Sequence, residues 1–387
     1  MPLSRRSFLR IAGTGTVILA AGAAGGAGFM ATRRPDSALA PWDEAGRGYD
    51  DPRLRALSYA ILAPNPHNQQ PWVVDLDRPA EARLYVDLDR RLPETDPFDR
   101  QITIGLGCFL ELLRQAALEE GRTVEIEPFP EGAPGARLDE RPVAAIRFRA
   151  GNAKPDPLFA QVFDRRSAKD PFDMTRRPDP EQAEALIAAV ETAEIETAVT
   201  TIPDEVAGLR ALLWQAWEVE ATTPSAWKES VDLLRIGKAE IEANPDGIDL
   251  GGVMPELLGA AGLLTREAAQ DPDSTAYAET WRLYREIFDK TPAAVWQVGR
   301  DDSRTTQLAA GRAWLRLNMK ATELGLGLHP VSQALQEYPE MAEPYRRLHA
   351  ELRIEAPKRL QMLGRLGYGR PVPPSPRWPI EAKIRTT

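Results

Sequence analysis

A stretch of fifteen residues, Gly107 to Gly121, returns without gaps as Gly311 to Gly325. Glycine opens and closes both copies, and Leu113 and Leu317, Ala117 and Ala321, and Glu119 and Glu323 coincide. Both copies have the apolar spacing of an amphipathic helix stopped by a glycine just past its end. An echo of this kind points to a chain built from two related halves. With 387 residues there is room for two ordinary domains or one fused unit.

The surrounding pattern fits that reading. Asp51 to Leu62 reads as a helix ended by Pro64-Asn65-Pro66. Trp72 to Leu76 and Arg83 to Leu88 read as strands, and Ile102 to Glu120 as a strong helix. Val124 to Ile126 and Val143 to Phe148 are further strands. The polar connection Asn152 to Pro157 marks the boundary, giving a first half over 41–151 and a second over 152–387. The second half is expected to hold a helix from Leu158 to Phe163, then one from Glu181 to Ala193 capped by Asp179-Pro180. A strand from Ile195 to Ile202 and a long helical stretch from Glu205 to Ile236, interrupted at Pro224, come next. Residues 237–273 are punctuated by Gly and Pro and have no counterpart in the first half, so they read as an insertion or lid. A helix over Thr305 to Leu324, a strand over Met362 to Tyr368 and a Pro-rich extension close the chain. The expected class is α+β, each half a mainly antiparallel sheet flanked by helices, the two together mimicking a dimer.

The net charge of -9 argues against nucleic acid, whose binding rests on cations neutralising phosphates. The three histidines, His67, His329 and His349, are scattered and match no metal-binding spacing. The single Cys108 excludes an intrachain disulfide and sits in an apolar helical run, where it reads as a small buried hydrophobe.

Residues 1–40 read as an address. Ser4-Arg5-Arg6-Ser7-Phe8-Leu9-Arg10 precedes an uncharged run from Ile11 to Ala31 that is rich in Gly and Ala. A paired arginine before a mildly apolar stretch is the twin-arginine export pattern, which carries proteins already folded. Ala38-Leu39-Ala40 and Ala21-Gly22-Ala23 are candidate cleavage sites. Uncleaved, the run has the length to span a bilayer, so a cleaved or a tethered extracytoplasmic protein are both open. The route suits a protein that must take up its cofactor before it leaves the cytoplasm.

Three segments carry chemistry. Pro64-Asn65-Pro66-His67-Asn68-Gln69-Gln70-Pro71-Trp72 is dense in amides, which supply donor and acceptor together. Asp164-Arg165-Arg166-Ser167-Ala168-Lys169 gathers three cations and a hydroxyl, suited to a phosphate monoester and a developing anion. Glu323-Leu324-Gly325-Leu326-Gly327 and the late Gly367-Tyr368-Gly369-Arg370, with Arg377 after it, place glycines where backbone can approach a flat ring and an arginine fork where a phosphate can be held.

Taken in this order, the segments resemble the FMN-dependent nitroreductase superfamily, in particular its Acg-like branch, where one chain carries two nitroreductase-type halves. The resemblance extends over Asp51 to Ile380. It implies one FMN between the halves. Arg165 and Arg377 would hold the phosphate, Ser167 would lie toward the ribityl chain, and Lys169 near N1 and O2 would steady the reduced ring. Pro64, Asn65, Asn68 and Gln70 would meet the ring or ribityl chain, and Gly325 would sit near N5. Where the family has Ser-Ser after the proline this chain has Asn65-Pro66, which removes one backbone donor. The implied activity is two-electron ping-pong transfer through FMN from a reduced donor to a small organic acceptor. For an exported protein a quinol or redox-protein donor suits better than a nicotinamide, and the twin-arginine translocase is the partner during export. The competing implication is a flavin-sequestering protein with FMN shut beneath the lid.

Overall fold

The computed structural model describes residues 33–190 and 192–385. In chain order the helices and strands are α1 (Asp36–Glu44), α2 (Pro52–Ala60), β1 (Trp72–Asp75), β2 (Glu81–Val86), α3 (Arg100–Glu119), β3 (Thr123–Pro128) and β4 (Ala144–Arg149). Then come α4 (Pro180–Ala188), β5 (Ile195–Thr200), α5 (Pro203–Thr222), α6 (Pro224–Asp232), β6 (Leu234–Ile236), α7 (Gly237–Ala243), β7 (Ile248–Leu250), α8 (Val253–Ala260), α9 (Arg266–Gln270) and α10 (Thr275–Asp289). The chain closes with β8 (Ala293–Gly299), α11 (Arg304–Glu323), β9 (Gly327–Pro330), α12 (Ala342–Glu351) and β10 (Arg359–Gly367).

The fold is α+β. One four-stranded sheet runs β1-β2-β4-β3 and the other β5-β8-β10-β9, with every neighbouring pair antiparallel. The order is the same twice: in each sheet the second and third strands of the set, β2 and β3 or β8 and β9, are joined through the long helix, α3 or α11. Along β1 the side chains of Trp72 and Val74 are buried and those between are half-buried, the period of two that a sheet with one face on the core imposes. A small pair, β6 and β7, is parallel and lies in the excursion between β5 and β8.

The two long helices cross at the glycines that open the echo. A Cβ on Gly311 would lie 1.9 Å from the Ile104 carbonyl oxygen, and one on Gly107 would lie 2.2 Å from that of Leu308. Only glycine lets the backbones approach so closely. Cys108 is buried there, its Sγ donating to the Gly311 carbonyl at 3.1 Å, and burial pushes its thiol up to about 12. The closing glycines match as well: Gly121 and Gly325 take φ of +68° and +71° just past the ends of their helices.

Several expectations need correction. The segment expected as a helix over Leu158 to Phe163 is a 3-10 turn, Pro157–Gln161. The excursion is larger than 237–273: it begins with α5 directly after β5 and runs to the end of α10. The amphipathic α10 and the central strand β8 were not anticipated. The boundary at residue 40 cuts through α1, whose Ala38, Leu39 and Trp42 are buried. Trp42 donates to the Ser375 carbonyl at 2.8 Å and the Arg377 amide to the Ala38 carbonyl at 2.9 Å. Cutting at Ala38-Leu39-Ala40 would divide a core helix, so the folded body reaches back at least to Asp36. The arginine pair and the run from Ile11 to Ala31 lie outside the described residues. Among the described residues no helix is long and apolar enough to cross a membrane.

Candidate functional site

The amide loop lies between α2 and β1. It is pressed against α3 at Gly105, where a Cβ would meet Pro66 and Asn65 at 3.1 and 3.2 Å. The Asn65 Oδ1 accepts the Gln70 amide at 2.7 Å, closing the loop on itself. His67, Asn68 and Gln70 take φ of +46°, +53° and +51°. Three non-glycine residues in the left-handed region within four positions store strain, a feature that concentrates at functional sites. The Gln70 side chain is fully buried, donating to the Pro245 carbonyl at 2.7 Å and accepting the Trp378 amide at 2.9 Å. Lys383 donates to the Gln70 carbonyl at 2.9 Å. Pro64, at the mouth of the loop, is half-buried.

Two arginines from distant positions meet this loop. Arg377 donates to the carbonyls of Ile61 at 2.8 Å, Leu62 at 3.1 Å and Ala63 at 3.2 Å, and to Asn68 Oδ1 at 2.6 Å. Arg165 donates to the Leu62 carbonyl at 2.9 Å. Both are buried, and the Arg165 Nε is shut from solvent without a partner. Burial first, and the neighbouring arginine second, lower Arg165 to about 10 and Arg377 to about 9. Arg166 and Arg377 both lie over the Trp42 ring, at 4.7 and 5.5 Å. The cations therefore sit on the carbonyls at the end of α2, where the helix dipole is favourable to them, but among the described residues no carboxylate bonds either buried guanidinium.

Lys169 is exposed and Ser167 half-buried, and neither bonds the arginines or the amides. The segment is fixed by the Ala168 amide, which donates to the Leu328 carbonyl of β9 at 2.8 Å. The Lys169 charge is felt by His67, His329 and Asp249. Burial, then Lys169, lowers His67 to about 4, so it is neutral at physiological pH, and its Nδ1 has no partner. Gly325 is not brought into this cluster by any bond. Its left-handed backbone ends α11, and the space where its Cβ would stand is open.

The excursion supplies residues that sequence reading passed over. Asp246 is buried and accepts from Arg90 at 2.7 Å, Arg235 at 2.7 Å and the Trp378 indole at 2.8 Å. Burial alone would raise its carboxyl; these bonds outweigh that and hold it below the usual range. The Gly247 amide donates to the Asn68 carbonyl at 3.3 Å. Asp249, raised by burial against the opposing pull of Lys169 and Arg377, is the acid facing the cations. No local motif marks Asp246 or Asp249, because apart from the nearby Arg235 the groups that define them, Arg90, Trp378, Lys169 and Arg377, come from distant parts of the chain. Two open surface cavities, of about 610 and 490 Å³, lie elsewhere, the second between the starts of α3 and α11.

The site is thus a meeting of first-half amides, second-half cations and an acidic segment folded over both. No family model matches the chain. Over 75 residues it is 37% identical to proteins of two Mycobacterium tuberculosis strains that bear the name NAD(P)H nitroreductase acg, the match covering 19% of this chain. It spans 22%, about a fifth, of those relatives' length. That segment relates the chain to nitroreductase-like proteins. Among solved structures, the FMN-dependent nitroreductase NfnB of Mycobacterium smegmatis in complex with NADPH overlaps 59% of this chain and 98% of its own at 16% identity, with a TM-score of 0.35. A nitroreductase-like family protein from Bacillus cereus overlaps 61% and 98% at 14% identity, with a TM-score of 0.34. Overlap at that level assigns nothing to this site.

Proposed function

We propose that the chain is an FMN-binding oxidoreductase of nitroreductase type, one cofactor per chain, exported by the twin-arginine route. The observation that carries this reading is the pair of buried guanidinium groups, Arg165 on the Leu62 carbonyl and Arg377 on the same carbonyl and on Asn68, with no carboxylate among the described residues bonded to either. Buried charge without a bonded partner of opposite sign is costly, and Asp249 acts on Arg377 through its charge alone; a phosphate monoester matches both the charge and the fork geometry. The unpartnered Arg165 Nε is a donor such an anion can use. Arg165 and Arg377 then hold the phosphate, with Ser167 beside them. Asn65, Asn68, Gln70 and Pro64 flank the ribityl chain and ring. Bound FMN supplies the capacity to take two electrons from one partner and give them to another. Lys169, exposed and near the amide loop, steadies negative charge on the ring's pyrimidine side. Gly325 keeps its place in this reading only if the ring extends to the end of α11. A quinol or a redox protein serves as donor outside the cytoplasm, and a small organic molecule as acceptor. A purified protein that carries flavin absorption, or gains it on adding FMN, supports the reading; one that stays colourless with FMN present overturns it.

The Asp246 bonds favour a second reading. They join the excursion to the first half through Arg90 and to the tail through Trp378, closing it over the amide loop. A closed cover suits storage as well as turnover. Stopped-flow mixing with NADPH and with a quinol analogue separates the two: flavin that neither donor bleaches is stored.

A further inference from the structure

The excursion carries another feature, independent of any cofactor. Residues 251–264 read Gly-Gly-Val-Met-Pro-Glu-Leu-Leu-Gly-Ala-Ala-Gly-Leu-Leu, with Glu256 the only charge. None of these residues is buried. Helix α8 lies at their centre, and its Met254 and Leu257 are 38% and 41% exposed. A short helix of this composition ordinarily turns an apolar face inward. Here apolar side chains remain in contact with solvent over the whole stretch, which marks a surface meant to be covered.

The place where the chain enters the fold says what covers it. Arg33, the first described residue, pairs with Glu256 and so neutralises the one charge in the stretch. Immediately upstream is the run from Ile11 to Ala31, twenty-one residues with no Asp, Glu, Lys or Arg. At ~1.5 Å per residue a helix of that length matches a bilayer core of ~30 Å. The segment of this sequence best suited to lipid therefore ends two residues before Arg33, beside an apolar stretch that the described residues leave partly or fully exposed.

We propose that α8 and its flanks, residues 251–264, rest on the surface of a phospholipid bilayer to which the run from Ile11 to Ala31 tethers the chain. Met254, Leu257, Leu263 and Leu264 enter the interfacial region, as the apolar face of a surface-bound helix does. Arg33, paired with Glu256, and Arg34, paired with the exposed Asp36 at 3.3 Å, stand at the junction between the run and the fold. The surface belongs to the same excursion that closes over the amide loop, so the site's cover is held at the membrane.

The test uses the full chain with Leu257→Cys carrying a fluorescent maleimide. Cys108 is buried and does not compete for the label. The protein is mixed with phosphatidylcholine–phosphatidylglycerol vesicles, with and without a lipid bearing a nitroxide near its headgroup. A second protein carries the label at Glu340→Cys, an exposed position in the 3-10 turn just before α12. The expected result is co-flotation with vesicles and at least threefold stronger nitroxide quenching at 257 than at 340, halved when Met254→Glu is added. Failure to co-float, equal quenching at both positions, or a label at 257 that is shielded by a second copy in the absence of lipid would each overturn the proposal. Thermal unfolding of the labelled proteins, unchanged from the parent, checks that the substitutions leave the fold intact.

Discussion

The two sheets have one topology but unequal attachments. Between β1 and β2 the chain makes only a turn over 76–80, while between β5 and β8 it runs through residues 201–292, two strands and six helices. The first half is close to a bare scaffold that lends its amide loop. The second half gives the cations, the acid and the cover. Shared topology fixes where the long helices cross; the site arises where the halves have diverged. Each half can therefore be tested by asking whether equivalent positions still behave alike.

The crossing glycines should show the strongest equivalence. Gly311→Ala places a methyl group on the Ile104 carbonyl and Gly107→Ala one on that of Leu308. Backbone cannot move aside as a side chain can, so each substitution is expected to cost at least ~3 kcal/mol. Chemical denaturation measures it. A cost below ~1 kcal/mol at either position would mean that the helices are not held this close.

The arginines should divide. Arg100 and Arg304 occupy matching first positions of α3 and α11, and each reaches across to the opposite half. Arg100 donates to the Leu335 and Gln361 carbonyls at 2.7 and 2.9 Å, and Arg304 to those of Phe98 and Ala136, both at 2.8 Å. Their replacement by Met should lower stability and leave affinity for FMN unchanged. Arg377→Met should weaken FMN binding about 10–100-fold, the scale of a lost charge-assisted bond. Fluorescence titration reads this directly. Equal affinity in Arg377→Met and the parent would remove Arg377 from the phosphate.

The starts of the same two helices are capped in opposite electrostatic conditions. Asp96 accepts the Gln101 and Ile102 amides of α3 at 3.0 and 2.9 Å, yet burial pushes it up to about 6. Its folded form holds the proton more tightly than the unfolded chain does. Raising pH from about 4 to 6 should therefore cost stability, on the order of 2 kcal/mol. Asp301, ahead of α11, is lowered to about 2 by bonds from Thr306 and Ser303. Its contribution is complete above about pH 4 and is lost as pH falls toward 2. Asp96→Asn should flatten the first slope and Asp301→Asn the second, as urea midpoints across the range would show. Matching slopes in both variants would contradict this division.

Much of the scaffold was legible because it depends on local pattern. Helix α11 begins one residue from where its periodicity places it, and Asp179-Pro180 caps α4 as its residue types require, with Gln182 completing a capping box. Strand β8, Ala293–Gly299, escaped notice because it is buried on both faces and has no alternation to read. The site was legible only in its parts. Arg165, Arg377 and Asn68 are conspicuous in sequence and do converge. The left-handed turn at Gln70 is not, since Gln is not among the non-glycine residues enriched there. Asp246 gains its meaning chiefly from Arg90 and Trp378, both more than a hundred residues away, and Asp249 from the charges of Lys169 and Arg377.

A smaller effect is expected at Lys169. It is exposed and bonds none of the cluster, so Lys169→Met should leave the unfolding midpoint unchanged. If it steadies the reduced ring, the two-electron midpoint of bound flavin should fall, by about 30 mV for each ~1.4 kcal/mol of lost stabilisation. An unchanged potential would leave Lys169 without that role.

The smallest effects should come from the closing glycines, and they decide how far the halves have parted. Gly121 and Gly325 share a left-handed φ, and neither is crowded the way the crossing glycines are: only the Gly151 carbonyl comes near Gly121, at 3.3 Å, and nothing comes near Gly325. Alanine at either should cost about 1 kcal/mol through backbone conformation alone. If both are helix stops and nothing more, the two variants will lose similar stability and bind FMN as the parent does. If the end of α11 also borders the ring, Gly325→Ala will change the flavin spectrum or affinity and Gly121→Ala will not. Equivalence in stability combined with divergence in flavin binding would show one structural device kept in both halves and put to a second use in one. Equivalence in both measurements would remove Gly325 from the site and leave its boundary at the amide loop, the arginines and the cover.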